Sequence, residues 1–537
     1  MSETVRTIGG ISKGGRRGGG RGRLRAFVLL ILLLGIGYAV WTTRDTHPLP
    51  RLIPGDQKYW VVVNDIAEKR QKLVQSDVLD SLSHWTDTTA LKATLEQEIP
   101  LPSWVINNLM GETCYFSGND LKEFKDVLVV SRMSRVGALL ERLHVFSGSV
   151  EDDPAGGLNL RKISGQSLYY AARGRALVLS PDRNVLIRSL TLRPDECAKG
   201  KALARALEQS GSEDLQGSIS FAPDDPLGAQ VQAMGFALRV DDAQAKLKCR
   251  ATLRPDVESR FGDLLRNVTP QTLDTPVDGL MMVSADFGKP VREVWVGLGQ
   301  AFGLPALSAE QWDAWKAAPE DAPPGFANVL TSVLEDAGPG ICLTWYDTDL
   351  NEIFPAPEIV GTFDRGTAPI DAIFASLPAA LESSAGSAGL PQYDAKRKRL
   401  VLPIIGGPSL NPTFASYGGT LFVSTSSAAA DEVLARKPGE ATLPAPGNFY
   451  FRMRPLPCVQ AVAGAGELLV EMDALKGFTR ETFDREVQKW TEKAKAVDDI
   501  SALLSVDNGE VLGELTVTTR MSETEPGKRE TDPGLNQ

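Results

Sequence analysis

KYWVVVND, Lys58 to Asp65, returns without a gap as GLMMVSAD, Gly279 to Asp286, and the segments behind each run return in the same order. Near-continuous β-branched and apolar runs of this length read as buried strands. GETCYFSGNDLKEF (Gly111 to Phe124), followed by DVLVVSR and VGALLERL, matches GICLTWYDTDLNEIF (Gly340 to Phe354), followed by EIVGTFDR and IDAIFASL. YYAARGRALVLS (Tyr169 to Ser180) aligns with TFASYGGTLFVS (Thr413 to Ser424), and GSISFAP (Gly217 to Pro223) with GNFYFRM (Gly447 to Met453). ALRVDDAQAKLKCRATL (Ala237 to Leu253) is answered by LLSVDNGEVLGELTVTT (Leu503 to Thr519), each a strand, a tight turn and a strand. Asn508-Gly509 supplies the positive φ angles of a type I′ hairpin.

Matches in one order predict an internal duplication with a period of about 230 residues, too long for a solenoid unit. Each copy reads as strand, helix, two strands, helix, two strands turning at Arg173-Gly174 or Gly418-Gly419, helix, strand and closing hairpin. Short turns force antiparallel pairing, and helices with one apolar stripe are expected to cover one face of the sheet. The predicted class is therefore α+β: two tandem domains, 57–266 and 277–521, joined by a linker at 267–276.

Local signals fill in the rest. Asp65 is expected to cap a helix over Ile66 to Trp85, and Ser180-Pro181-Asp182 and Ser424 to Ser427 to cap the helices after the third pair of strands. Pro255 to Leu265 reads as a short helix. Ser308 and Gln311 form a capping box ahead of Trp312 and Trp315, and one long helical run is expected from Cys458 to Val497. The polar tail, 522–537, reads as disordered.

Upstream of the repeats, AFVLLILLLGIGYAVW (Ala26 to Trp41) carries no charge or proline. With Thr42 and Thr43 it gives roughly 18 uncharged residues, near the ~20 that cross a bilayer as a helix. The tail before it, 1–25, has seven basic residues and one acid, so a transmembrane helix at 26–43 should keep that tail in the cytoplasm and export everything after the short linker 44–56. A cleaved signal peptide is the competing reading of the same pattern, with Gly37-Tyr38-Ala39 at cleavage spacing. The Gly/Arg tail also has the composition of RNA-binding segments, although a disordered tail resting on anionic headgroups accounts for it without a folded reader.

The 537 residues carry a net charge of −11, and the basic tail contributes +6, leaving −17 for the remainder. An acidic ectodomain repels nucleic acid and anionic lipid, so neither is an expected partner. Five cysteines, Cys114, Cys197, Cys249, Cys342 and Cys458, are scattered without a C-x-x-C pair, so at least one thiol is unpaired within the chain. Cys249, alternating with Leu247 and Ala251, reads as a small buried hydrophobe.

Chemistry is mostly missing. His47, His84 and His144 are the only histidines and have no ligand spacing, which excludes a histidine zinc site; His144 reads as a helix-end cation. Gly297-Leu-Gly299-Gln-Ala-Phe-Gly303 is one residue too long for a dinucleotide fingerprint and reads as helix packing, and Gly200-Lys201 lacks the rest of a P-loop. Asp347, Asp349, Asn351 and Glu358 occupy four positions of a calcium-loop template, but Glu352 replaces its glycine and Pro355 and Pro357 interrupt it. Lys396 to Arg399 reads as a solvated hairpin end, and Asn267-Val-Thr269 is a single glycosylation acceptor. No catalytic, cofactor-binding or metal-binding residue is assigned, and no cofactor is expected.

The layout of basic tail, span, proline-containing linker and repeated modules, with DVLVVSRMSRVGALLERL and the L-V-L-S or L-F-V-S strands, resembles uncharacterised membrane-anchored bacterial envelope proteins built from a domain of unknown function. The resemblance implies an inner-membrane anchor and a periplasmic ectodomain, and carries over no catalytic residues. The reading is thus of a single-pass, non-enzymatic envelope protein that binds or scaffolds another protein. A carrier or sensor of an apolar ligand is the alternative from composition and fold. A hydrolase of envelope polymers is a third, resting on Asp347 and Asp349 converging on a cleft.

Overall fold

A computed structural model describes residues 47–66, 103–119, 126–143, 150–198, 213–261, 279–316, 337–350, 355–365, 392–401, 411–435 and 447–520, apart from short breaks within these ranges, with Tyr38, Arg44, Glu68, Lys69 and Lys72. The protein is α+β with antiparallel strand pairing. Its described residues fall in two compact units, one within Met1–Asp56, Leu101–Phe116 and Phe124–Lys199, the other within Gln57–Pro100, Ser117–Glu123 and Gly200–Gln537.

In chain order the strands begin with β1 (Tyr59–Asn64), β2 (Thr113–Gly118), β3 (Leu128–Arg132), β4 (Val150–Asp152), β5 (Arg161–Ile163), β6 (Tyr169–Arg173) and β7 (Ala176–Ser180). They continue with β8 (Leu215–Ser220), β9 (Val231–Asp241), β10 (Gln244–Leu253), β11 (Met281–Asp286), β12 (Ala337–Asp349) and β13 (Ala356–Arg365). The last are β14 (Gln392–Asp394), β15 (Arg399–Val401), β16 (Thr413–Tyr417), β17 (Thr420–Ser424), β18 (Phe449–Met453), β19 (Val497–Asp507) and β20 (Glu510–Thr519). Helices α1 (Ser103–Met110), α2 (Arg135–Arg142) and α3 (Arg183–Thr191) belong to the first unit. The second holds α4 (Pro255–Phe261), α5 (Val291–Phe302), α6 (Ala309–Lys316), α7 (Ser427–Ala435), α8 (Pro455–Glu471) and α9 (Arg480–Lys495).

The first unit is a sheet in the order β2-β3-β7-β6-β5-β4. β7 reads ALVLS, apolar at successive positions, and such a strand needs cover on both faces. It has it: Val178 packs with Leu128, Val130, Leu186 and Leu190 on the α3 side, while Leu177 and Leu179 pack with Met133, Ala138 and Leu109 on the α1 and α2 side. Helices on one face only, as the sequence predicts, is therefore corrected to helices on both. The 44–56 stretch is no free linker either. From a 3-10 turn at Leu49–Leu52 onward it lies in this core, with Leu49, Leu52 and Ile53 at 3% exposure or less, and Gly55 N–H bonds Glu196 O at 2.8 Å.

The second unit is one run of fourteen strands, β1-β8-β9-β10-β20-β19-β18-β11-β12-β13-β17-β16-β15-β14. Substituting β11 for β1, β18 for β8 and so on, its two ends and the first unit follow a single order: β2-β3-β7-β6-β5-β4 is mirrored by β12-β13-β17-β16-β15-β14, and β1-β8-β9-β10 by β11-β18-β19-β20. The halves join where β10 pairs with β20 over nine residue pairs. Lys248 faces Glu514 at the centre of that ladder, and the two are aligned residues of the matched hairpins, so the register is symmetric about this pair. Strands of both domains expected from sequence thus share a unit.

Registers test the alignment residue by residue. The closing hairpins and the β6–β7 pair match as the sequence aligned them. The opening strands do not: the ladders put Met282, not Met281, in the place of Trp60, and both side chains are 2% exposed. β8 and β18 are displaced by four residues, an even number that leaves side chains on the same face.

Caps follow the expected chemistry in part. Asp182 accepts Asn184 N–H at 2.6 Å at the start of α3, Ser426 accepts Ala429 N–H at 2.9 Å at α7, and Ser308 accepts Gln311 N–H at 3.2 Å at α6. Asp65 instead sits at φ +50° and offers its carbonyl to Lys69 N–H, so it lacks the extended backbone of an ordinary N-cap. Of the helix expected over Ile66 to Trp85, only Ile66, Glu68, Lys69 and Lys72 lie among the described residues, and these are helical. The long run expected from Cys458 to Val497 is two helices, α8 and α9, broken by Asp473 and Gly477 at positive φ and restarted by a Thr479–Thr482 capping box.

Candidate functional site

Alternation in a strand sends successive side chains to opposite faces, and cross-strand partners share a face. On one face of the central strands the rows read Phe236–Cys249–Gly513–Leu504, Leu238–Leu247–Leu515–Ala502 and Val240–Ala245–Val517–Ile500 along β9, β10, β20 and β19. No charge interrupts them. The middle row continues through Val63 and Leu215 on one side and Phe451, Val283 and Leu343 on the other.

Among the described residues this apolar face is exposed in its middle. Leu504 is 42% exposed, Leu515 39% and Leu343 46%, with Cys249 half-buried among them. The rows are covered toward both ends: Val240 is 3% exposed at one, and at the other Leu253 and Val257, the latter from α4, and Val294 from α5 pack with Val506 and Val511. An exposed contiguous apolar surface of this kind marks an interaction site, since monomeric soluble proteins rarely leave one uncovered. The reverse side of β10 and β20 is charged: Lys246 pairs with Glu514 and Arg250 with Glu510, both at 2.5 Å. Farther along, that reverse side is sealed, with Met282, Cys342 and Tyr450 in one cluster and Val360, Phe422, Ala429 and Val433 under α7 in another.

Cys249, expected to be buried, is instead the least buried of the five cysteines, none of which forms a disulfide; partial burial raises its pKa, and fuller burial pushes Cys114 up to about 12. The alternation that suggested burial was real, but Cys249 lies in the part of that face that stays half-exposed.

The titratable groups gather elsewhere. Asp214, 6% exposed, bonds Lys69 at 2.6 Å, Lys72 at 3.4 Å and the Val240 N–H at 2.7 Å. Burial pushes its carboxyl up, but the Lys69 hydrogen bond, the Val240 N–H and the two ammonium charges outweigh this and hold it below the ordinary carboxylate value. It clamps the start of a helix onto β9.

Of the calcium-template residues, Asp347 and Glu358 face each other across β12 and β13, with Asp349 farther along β12; Asn351 lies outside the described residues. Burial, then the charges of Asp347, Asp349 and Glu432, raise the Glu358 pKa. The Asp347 carboxylate accepts the Thr348 N–H at 2.7 Å, and the group lies on a strand pair instead of a loop. Among the described residues no set of three or more His, Cys, Asp or Glu side chains is placed to hold a metal ion.

Gly297 and Gly299 lie within α5, as helix packing requires and a phosphate loop does not. Lys396 to Lys398 form the turn between β14 and β15, with Asp394 accepting the Lys396 and Arg397 N–H groups. His47 is in the first unit's N-terminal segment, while His84, His144, Gly200-Lys201, Asn267-Val-Thr269 and the 522–537 tail lie outside the described residues. So does the 26–43 segment apart from Tyr38; among the described residues no helix is long and apolar enough to cross a membrane.

No family model and no curated protein sequence matches the chain. Solved structures that resemble it include crystal form I of TP0453, with TM-score 0.24 and 9% identity over 39% of this chain and 81% of that one. Crystal form IV gives TM-score 0.22 and 10% identity over 41% and 85%. Such low scores carry nothing over to this chain.

Proposed function

We propose that this chain is a non-enzymatic, membrane-anchored envelope protein made of two copies of one α+β module, and that it docks another protein on the apolar sheet face where the copies meet. The observation that carries the docking reading is the exposure of Leu504 and Leu515 in the middle of an uncharged face. Duplication is supported by the recurring strand order and the symmetric β10–β20 ladder. The anchor and the periplasmic address rest on the uncharged Ala26-to-Thr43 run and the basic residues before it. An exposed sheet face suits a protein surface better than a small molecule, which needs a concavity to bury most of its own area.

A photo-crosslinking amino acid placed at Leu515 in the full chain, in its native membranes, tests the reading against the same group at Lys248 on the charged side. Protein adducts at 515, absent at 248 and lost when Leu504→Asp is added, are expected. Adducts to lipid alone, or equal adducts at both positions, would overturn it.

A further inference from the structure

Given the membrane anchor proposed above, we infer that the first unit rests an arginine corner on the anionic phospholipid headgroups beside that anchor. Register builds the corner. Arg132, at the end of β3, and Arg173, at the end of β6, both pair with Ala176, the first residue of β7, so the three share one face. By ordinary strand spacing the two arginines stand about 10 Å apart, astride an Ala176 that is 2% exposed. Arg175 joins them from the turn, its Nε donating to Met133 O at 2.9 Å and its guanidinium pairing with Glu112. Burial, and then the charge of Arg175, lower the Arg132 pKa, so these two guanidinium groups lie close enough to repel. Arg173 has no acidic partner among the described residues.

The fold does not require these cations. In the corresponding corner of the second unit, read from the same ladders, Asp364, Thr420 and Tyr417 take the places of Arg132, Ala176 and Arg173, and Gly419 that of Arg175. The tether points to what the arginines serve. A two-residue link after β7 turns α3 back along the sheet, which puts the later half of α3 at the arginine end. There Ser189 Oγ donates to Leu52 O, and Leu49 and Leu52 join Ala176 and Leu190 in one core, so the chain enters the first unit at this end. Six residues lead from Thr43, the end of the uncharged run, to Leu49, and fully extended they cover about 20 Å. The corner is thereby held near the headgroup layer, where each guanidinium fork matches two phosphate oxygens. The acidic remainder of the chain does not cancel this attraction, because charges beyond about 8 Å are screened at physiological salt.

The test places the full chain in vesicles of phosphatidylcholine, alone or with part of it replaced by anionic phosphatidylglycerol, with a photoreactive amino acid at Val136. Val136 is 56% exposed in the first turn of α2, just beyond Arg132, and Asn184, exposed at the opposite end of the sheet, takes the same group as control. Lipid adducts at 136 that rise at least tenfold with the anionic lipid, fall in high salt and stay low at 184 are expected. At about fivefold per charge near the surface, Arg132→Gln with Arg173→Gln should abolish that rise, while Arg132→Lys with Arg173→Lys should keep most of it. Every variant should stay in native membranes through a carbonate wash. Adducts at 136 that ignore the anionic lipid or the Gln pair, or a Lys pair that fails as badly as the Gln pair, overturn the headgroup inference and leave the anchor standing. A chain that the wash extracts overturns both.

Discussion

Asp214 and Asn448 hold equivalent corners of the sheet: each stands just before a strand, β8 or β18, and accepts a backbone N–H from the strand beyond, Val240 at 2.7 Å and Val506 at 2.9 Å. The chemistry around the two oxygens differs. Asp214 adds two lysines, whereas Asn448 uses its amide to donate to Asp286 O at 3.0 Å and receives no charge. Both residues are at least 94% buried, so each must satisfy its polar atoms locally.

Replacing Asp214 separates these roles. Asp214→Asn keeps an acceptor for Val240 and loses the ion pairs. Asp214→Ala loses both and leaves a buried N–H unmatched and Lys69 without this carboxylate, Lys72 keeping Asp241 at 3.5 Å, which should cost about 2–4 kcal/mol, with the Asn variant costing clearly less. Urea midpoints of the two variants against the parent chain give the order, and an Asn variant as damaged as the Ala variant would refute the assignment.

Acid should act on the two carboxylate groups in opposite senses. Asp214 has a folded pKa below its unfolded one, so its contribution is present above the ordinary carboxylate range and is lost as pH falls through the folded value. Glu358 has a folded pKa above its unfolded one, so stability declines as pH rises from the ordinary value through the raised one. Glu358→Gln should therefore raise the melting temperature at pH 7 and bring a shrinking gain toward pH 4. A gain that grows on acidification would contradict the facing of Glu358 and Asp347.

Two glycines on neighbouring strands should respond differently to a methyl group. At Gly217 a Cβ would come within 2.3 Å of the Phe236 ring and 2.9 Å of Trp60 O, and the backbone atom has no rotamer by which to give way. Gly217→Ala should cost about 1–3 kcal/mol. At Gly235 the nearest atoms are 3.9 Å away and φ is not positive, so Gly235→Ala should be neutral or stabilise by up to about 1 kcal/mol. Thermal melts of the pair decide it.

Thr479 starts α9 with a reciprocal capping box, accepting the Thr482 N–H while Thr482 returns a bond to the Thr479 N–H. Thr479→Ala should cost about 0.5–2 kcal/mol. Because α9 packs on α8 and β19, early loss of helical signal in a urea titration is the measurement to make.

Strands long enough to bury a pattern were legible in the sequence. β9, β10, β19 and β20 could be aligned to the residue because ten or more alternating positions and a two-residue turn fix register. β1 and β11 slipped by one, because Val61-Val-Val63 and Met281-Met-Val283 are apolar at every position and alternation says nothing about facing. β4 and β5 went unread, because three residues, some charged, do not make a period, whereas β14 and β15 were legible only through the hairpin end at Lys396 to Arg399 between them. The apolar rows of the candidate site were visible in Leu247, Cys249 and Ala251, but their exposure was not, since whether a face is covered depends on chain segments far away in sequence.

The ladder between β10 and β20 also decides what a truncation would do. Parting the halves would uncover a ten-residue strand on each side, with its amides and carbonyls unsatisfied and an apolar row beside them, which is a template for aggregation. The halves are consequently inseparable lobes of one sheet, and a fragment ending between them should precipitate or swap partners before it behaves as a domain.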